Sequence, residues 1–238
     1  MINTVLMDLD GTLLPFDQEE FIRTYFGLLC KRLAPMGYAP DAVVAAMWQG
    51  SKAMVQNDGA VLNRDRFWDV FARMLGESIC EEEARLDEFY LGEFDRVKAV
   101  LRGDTCAKEL VELLKAKGYT VVLATNPLFP EQAQRTRMSW AGLTPSDFVL
   151  VTHYGNSHFC KPNLRYYEEI LQTIGKTPAE CLMIGNSVAE DMIAETIGMQ
   201  TYLITGHIEN PKNEPTDRFT QGTLADFLDY ARTLPTLS

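Results

Sequence analysis

The 238 residues carry 46% hydrophobic and 23% charged side chains, the composition of an ordinary soluble globular protein with ample material for a core. A formal net charge of −11 excludes a primary role on nucleic acid, whose phosphates demand a basic surface, although a local cluster of cations can still hold a small phosphorylated ligand. No run approaches the ~20 apolar residues of a membrane span. The five scattered cysteines (Cys30, Cys80, Cys106, Cys160, Cys181) lack zinc-type or redox spacing, so reduced thiols are expected.

The chain opens on an apolar strand, Ile2 to Met7, rather than on a basic segment leading into an apolar run and a cleavage site; a cytoplasmic location is the expectation. That strand ends at Asp8-Leu9-Asp10-Gly11-Thr12. From about Gln18 to Phe94 the apolar residues fall at helical spacing. Four stripes stand out: Phe21, Tyr25, Leu28 and Leu29; Val43, Val44, Met47 and Trp48; Phe67, Trp68, Phe71, Met74 and Leu75; Leu86, Phe89 and Tyr90. The aromatics Tyr25, Trp48, Phe67, Trp68 and Phe71 read as the core of this helical block.

After Gly103, helices and strands alternate. A helix marked by Ala107, Leu110, Val111 and Leu114 precedes a buried strand, Tyr119 to Ala124. Next come a helix from Pro130 to Trp140, a strand from Phe148 to Val151, and a helix carrying Leu164, Tyr167, Ile170, Leu171 and Ile174. Cys181 to Ile184 reads as a strand, Val188 to Ile197 as a helix and Gln200 to Ile204 as a fifth strand. A polar loop, Asn210 to Pro215, leads to a last helix near Leu224 to Ala231. Short β-branched strands alternating with amphipathic helices imply an α/β fold, a parallel sheet covered on both faces. The helical block at 16–99 would then be an insertion into a core made of 1–15 and 100–238.

Asp8 and Asp10 are two apart at a strand end, so both project to one side with Leu9 turned away. Open α/β sheets bind ligands at that edge. Two carboxylates so close repel unless a cation lies between them or one holds a proton. An Asp-Gly turn of no functional weight is the plainer alternative. Three further strand ends argue against it. Thr125 and Asn126 offer a hydroxyl and an amide to phosphate oxygens, and Lys161 offers an ammonium. Gly185-Asn186-Ser187 is followed by Glu190 and Asp191 in what reads as a first helical turn, where oxygen ligands could complete a Mg²⁺ site.

In this order and spacing the chain resembles the haloacid dehalogenase superfamily, specifically its magnesium-dependent phosphatases. Asp8 to Thr12 matches the first motif, Thr125 the second, Lys161 the third and Gly185 to Asp191 the fourth; the helical insertion looks like that family's cap domain. The resemblance implies a Rossmann-like core and a small-molecule phosphate ester as substrate, with no nucleic acid or membrane partner. It implies that Asp8 attacks phosphorus and that Asp10 protonates the leaving alcohol, then deprotonates water. Lys161, Thr125, Asn126 and the main-chain N–H groups near Leu9 and Asp10 would hold phosphate oxygens. Mg²⁺ would be bound by Asp8, the Asp10 carbonyl, Asn186 and Asp191.

One departure concerns the metal. The family's fourth motif usually begins Gly-Asp, and Asn186 removes one charge, so a working but weaker Mg²⁺ site is expected, with Glu190 a possible substitute. His153 and His158 flank the loop to Lys161 and read as surface residues. Arg23, Lys52, Arg64 and Arg66 are candidate contacts for a second charge on substrate. A dehalogenase, a phosphomutase and a non-catalytic binding protein remain the alternatives, and oligomeric state is open. Asp10 favours phosphate esters over halides, because a departing halide needs no proton.

Overall fold

A computed structural model describes residues 1–103 and 105–237. Six parallel strands form one sheet in the order β3-β2-β1-β4-β5-β6. They are β1 (Thr4–Met7), β2 (Thr120–Leu123), β3 (Leu150–Val151), β4 (Cys181–Gly185), β5 (Gln200–Ile204) and β6 (Gln221–Gly222). The helices are α1 (Gln18–Leu33), α2 (Pro40–Val55), α3 (Asn63–Leu75), α4 (Glu83–Leu91), α5 (Ala107–Ala116), α6 (Glu131–Trp140), α7 (Leu164–Ile174) and α8 (Leu224–Thr233). Among the described residues no helix is long and apolar enough to cross a membrane.

Strand alternation sorts the core into two layers. Val5 and Met7 of β1 share one layer with Val121, Leu123, Leu182 and Ile184, covered by α5 and α8. Leu6, Val122 and Met183 point the other way, against Tyr166, Tyr167 and Ile170 of α7. This is the doubly wound, Rossmann-like arrangement that the alternating pattern predicts. From β1 the chain winds outward through β2 to β3, then returns to β4 on the other side of β1. Strand order therefore reverses between β1 and β4, and a crevice opens at their carboxyl ends.

The first layer continues without a break into the helical block between β1 and β2, through Phe16, Phe21, Tyr25, Leu29 and Phe94. Backbone and side chains tie the two together. Thr136 Oγ1 donates to the Tyr90 carbonyl at 2.7 Å and Trp140 Nε1 to Asp95 Oδ1 at 2.8 Å. The Asn63 and Arg64 amides donate to the carbonyls of Ser157 and Tyr154. The two chain crossings lie side by side, with the Arg102 amide on the Pro15 carbonyl at 2.7 Å.

Three expectations change. Val188 to Ile197 is not an α-helix: Ser187 to Asp191 is a turn, followed by a 3-10 helix over Met192–Ile197. The turn is held by the Asp191 side chain, which accepts from the Ser187 amide at 2.9 Å. Trp48 is not core; it packs edge-on against Phe26 but stays 51% exposed. The short edge strand β6, Gln-Gly in sequence, was not expected at all.

Candidate active site

β1 delivers Asp8 to the crevice, fixed by its amide on the Ile184 carbonyl of β4 at 3.0 Å. The chain then folds back at once: the Thr12, Leu13 and Leu14 amides all donate to the Leu9 carbonyl. Gly11 makes this turn with φ +72°, where an L side chain is strained. Space is lacking there too, since a Cβ would lie 2.3 Å from Asn186 Nδ2. Gly185 is constrained likewise, with a Cβ falling 2.2 Å from the Asp191 carboxylate. Gly11 lets the first motif approach the fourth, and Gly185 makes room for the Asp191 carboxylate within the fourth.

Lys161 sits at the centre, 1% exposed. Its ammonium donates to Asp8 Oδ1 at 2.9 Å and to Asp191 Oδ1 at 2.6 Å. The Thr12 hydroxyl lies 3.2 Å from Asp8 Oδ2 and 3.1 Å from Asn186 Oδ1, so one hydroxyl gathers the oxygens of two motifs. Asn186 Nδ2 donates to the His207 carbonyl at 2.6 Å, which orients its own carbonyl toward Thr12. Thr125 is buried at the end of β2, and its carbonyl accepts from Thr152 and Tyr166. Asn126 Nδ2 donates to Glu190 Oε2 at 3.0 Å, leaving its buried Oδ1 without a partner. Among the described residues no acceptor meets the Leu9 or Asp10 amide.

Asp10 has a partner that periodicity does not reveal. Arg137 of α6, wholly buried, donates from Nη1 to Asp10 Oδ2 at 2.7 Å. Its other Nη donates to Gln134 Oε1, and its guanidinium lies 4.2 Å from the centre of the Phe129 ring.

Two buried cations, Lys161 and Arg137, thus face three carboxylates, Asp8, Asp10 and Asp191. Burial, reinforced by neighbouring Asp8, pushes Asp10 up against the pull of Arg137. Burial and Asp8 likewise lift Asp191, to about 6. For Lys161 burial works against the charge, but Asp191 and Asp8 outweigh it and hold the ammonium well above its ordinary range. Burial also raises Glu190 to about 7, and raises Glu209 to about 7 with help from Asp8, Asp191 and Asp10.

The donors suit a hard divalent ion. Asp8 Oδ2 and Asn186 Oδ1 converge on Thr12, and oxygen ligands with a single carboxylate are compatible with Mg²⁺, which keeps waters and takes substrate oxygens. Among the described residues no three His, Cys, Asp or Glu side chains are grouped for a metal, so the fit depends on amide and main-chain carbonyls. Both Asp191 oxygens are already engaged, by Lys161 and by the Ser187 amide.

The outlying candidates lie elsewhere. His158 pairs with Glu169 at 2.6 Å, and His153 Nδ1 accepts from the Gly155 amide. Arg64 is engaged by Glu83 and Arg66 by Asp58. Tyr25, Phe67 and Phe71 are buried in the helical block as expected.

The family model of haloacid dehalogenase-like hydrolases matches residues 2–194. Glyceraldehyde 3-phosphate phosphatase of Methanothermobacter thermautotrophicus is 24% identical over 224 residues, 92% of either chain. A HAD phosphatase from Thermococcus onnurineus superposes with a TM-score of 0.61 at 19% identity, covering 99% of this chain and 100% of that one. A 2-haloacid dehalogenase from Pseudomonas syringae does so with a TM-score of 0.60 at 19% identity, covering 98% and 100%. These structural likenesses speak for the fold alone. Phosphatase and dehalogenase stand side by side in them, and the choice between the two falls to the site.

Proposed function

The chain belongs to the haloacid dehalogenase-like hydrolases, and on that premise we propose that it is a Mg²⁺-dependent phosphatase of small phosphate monoesters. The observation that carries this reading is Asp10. A second carboxylate stands two residues beyond the nucleophile, half-buried and held by Arg137, where a leaving oxygen needs a proton and a leaving halide does not. The phosphatase name of the 24% identical relative points the same way.

In this reading an Asp8 carboxylate oxygen attacks phosphorus while the bond from phosphorus to the ester oxygen breaks. Asp10 gives its proton to the departing oxygen. Water then returns a proton to Asp10 and attacks the aspartyl-phosphate; the bond to Asp8 breaks, releasing inorganic phosphate and restoring the carboxylate. Lys161, Thr125, Asn126 and the Leu9 and Asp10 amides hold the phosphoryl oxygens. Asp8, the Asp10 carbonyl and Asn186 would hold Mg²⁺, with Asp191 keeping Lys161 in place. When bound, the ion supplies the positive charge that offsets repulsion between Asp8 and the phosphate.

Residues 16–99 act as a cap over a core of 1–15 and 100–238, excluding water from the strand ends.

Hydrolysis of p-nitrophenyl phosphate with Mg²⁺ tests the proposal. The wild type should release nitrophenol, with activity lost on chelation and in Asp8→Asn. Equal rates in wild type and Asp8→Asn would reject it, as would metal-independent release of chloride from 2-chloropropionate. Retention of total phosphoester during turnover would mark a phosphomutase instead.

A further inference from the structure

Asp10 has two oxygens in unlike surroundings. Oδ2 accepts from Arg137 Nη1 at 2.7 Å, whereas Oδ1 is buried with no hydrogen-bond partner. The arginine is braced in turn. Its second Nη donates to Gln134 Oε1, and Gln134, itself wholly buried, donates from Nε2 to the Thr152 carbonyl at 3.2 Å. Phe129 at 4.2 Å and Phe21 at 5.9 Å close around the guanidinium. Its Nε has no partner at all.

A buried ion pair is often no more stable than a hydrophobic replacement, and an unsatisfied N–H adds a penalty. Packing alone therefore does not account for arginine here. Among the described residues the guanidinium meets one carboxylate, that of Asp10.

We propose that Arg137 is a positioning residue for the proton transfer: its hydrogen bond to Oδ2 fixes the orientation of the Asp10 carboxyl group at the end of β1. This rests on the phosphatase reading above and deepens it. Gln134 and Thr152 complete the brace and tie it to the end of β3. The covalent step is unchanged. The Asp10 proton passes to the ester oxygen as the phosphorus–oxygen bond breaks, and water restores it.

The test is leaving-group dependence. An alkyl phosphate such as glycerol phosphate needs its departing oxygen protonated; 2,4-dinitrophenyl phosphate does not. In Arg137→Gln, kcat for the alkyl ester should fall about 100-fold or more, the scale of general acid catalysis, with KM little changed. The dinitrophenyl ester should lose only a few-fold. The ratio of kcat/KM for the two esters does not depend on how much of a weakened variant is folded, because both report on the same active molecules. Arg137→Lys, which keeps the charge, should recover part of the ratio. In an Asp10→Asn background, Arg137→Gln should leave the ratio where Asp10→Asn alone puts it.

Equal losses on both esters would overturn the inference and leave Arg137 a structural neighbour. A further change of ratio in the Asp10→Asn background would also overturn it. Failure of the phosphatase reading looks different: the wild type would hydrolyse neither ester, or Asp8→Asn would hydrolyse both. Either result would remove the inference together with its premise.

Discussion

Asp8, Asp10, Lys161, Asp191 and Arg137 lie in one connected set at the ends of β1 and β4, and each determines what its neighbour can do. Lys161 holds Asp8 and Asp191 apart from each other while neutralising part of both. Arg137 engages one oxygen of Asp10 and leaves the other unoccupied. Two further acids, Glu190 and Glu209, stand at the rim; burial lifts Glu190 to about 7, and partial burial with the neighbouring Asp8, Asp191 and Asp10 raises the more exposed Glu209. Their folded-state affinity for a proton exceeds that of an ordinary glutamate, near 4.3 in the unfolded chain. The folded protein therefore binds more protons than the unfolded chain between those values, and linkage makes stability rise as pH falls through that window. Burial of His153 lowers its affinity and works in the opposite direction. In denaturant melts without Mg²⁺, the gain in stability from pH 8 to 5.5 should be larger in wild type than in Glu190→Gln/Glu209→Gln. An identical pH dependence in the two would contradict this account.

The elements place these residues through a few local devices. Gly11 lets the first motif meet the fourth at a distance that a Cβ would forbid, and Gly185 makes room for Asp191 within the fourth. Asn163 caps α7 by accepting from the Arg165 amide, which starts that helix just beyond Lys161. Thr223 and Asp226 form a reciprocal cap on α8, the helix that covers one face of the sheet. Thr223→Ala removes that cap and should cost about 1 kcal/mol in stability, read from the denaturation midpoint, with phosphatase kcat unchanged. A loss of activity without a loss of stability would mean that α8 has another role.

Much at this scale was legible in the sequence. Strand ends and helix stripes are local signals, so β1, β2, β4, β5 and the helices fall within a few residues of expectation. Edge strand β6 carries no apolar alternation to read. The stretch after β4 has helical periodicity, but Asp191 folds back onto the Ser187 amide and Tyr167 donates to the Glu190 carbonyl, so a turn forms instead. Arg137 stayed hidden for a related reason. Its burial is decided by where α6 lands relative to Asp10, a contact 127 residues apart in the chain, and no local pattern encodes that.

At the scale of the whole molecule, strand order reverses between β1 and β4, and the helical block is inserted between β1 and β2. That block is joined to the remainder through one continuous apolar cluster and through the Asn63 and Arg64 amides on the loop leading to Lys161. The arrangement encloses Asp8 yet leaves it next to a lysine and a hydroxyl, which suits the attack on phosphorus proposed for it. Rapid-quench trapping with a radiolabelled phosphate ester and Mg²⁺ tests this claim most directly. The account predicts acid-stable, alkali-labile phosphate on the peptide containing Asp8 during turnover, and none in Asp8→Asn. Steady hydrolysis by the wild type with no phosphate on that peptide, or label retained in Asp8→Asn, would contradict it.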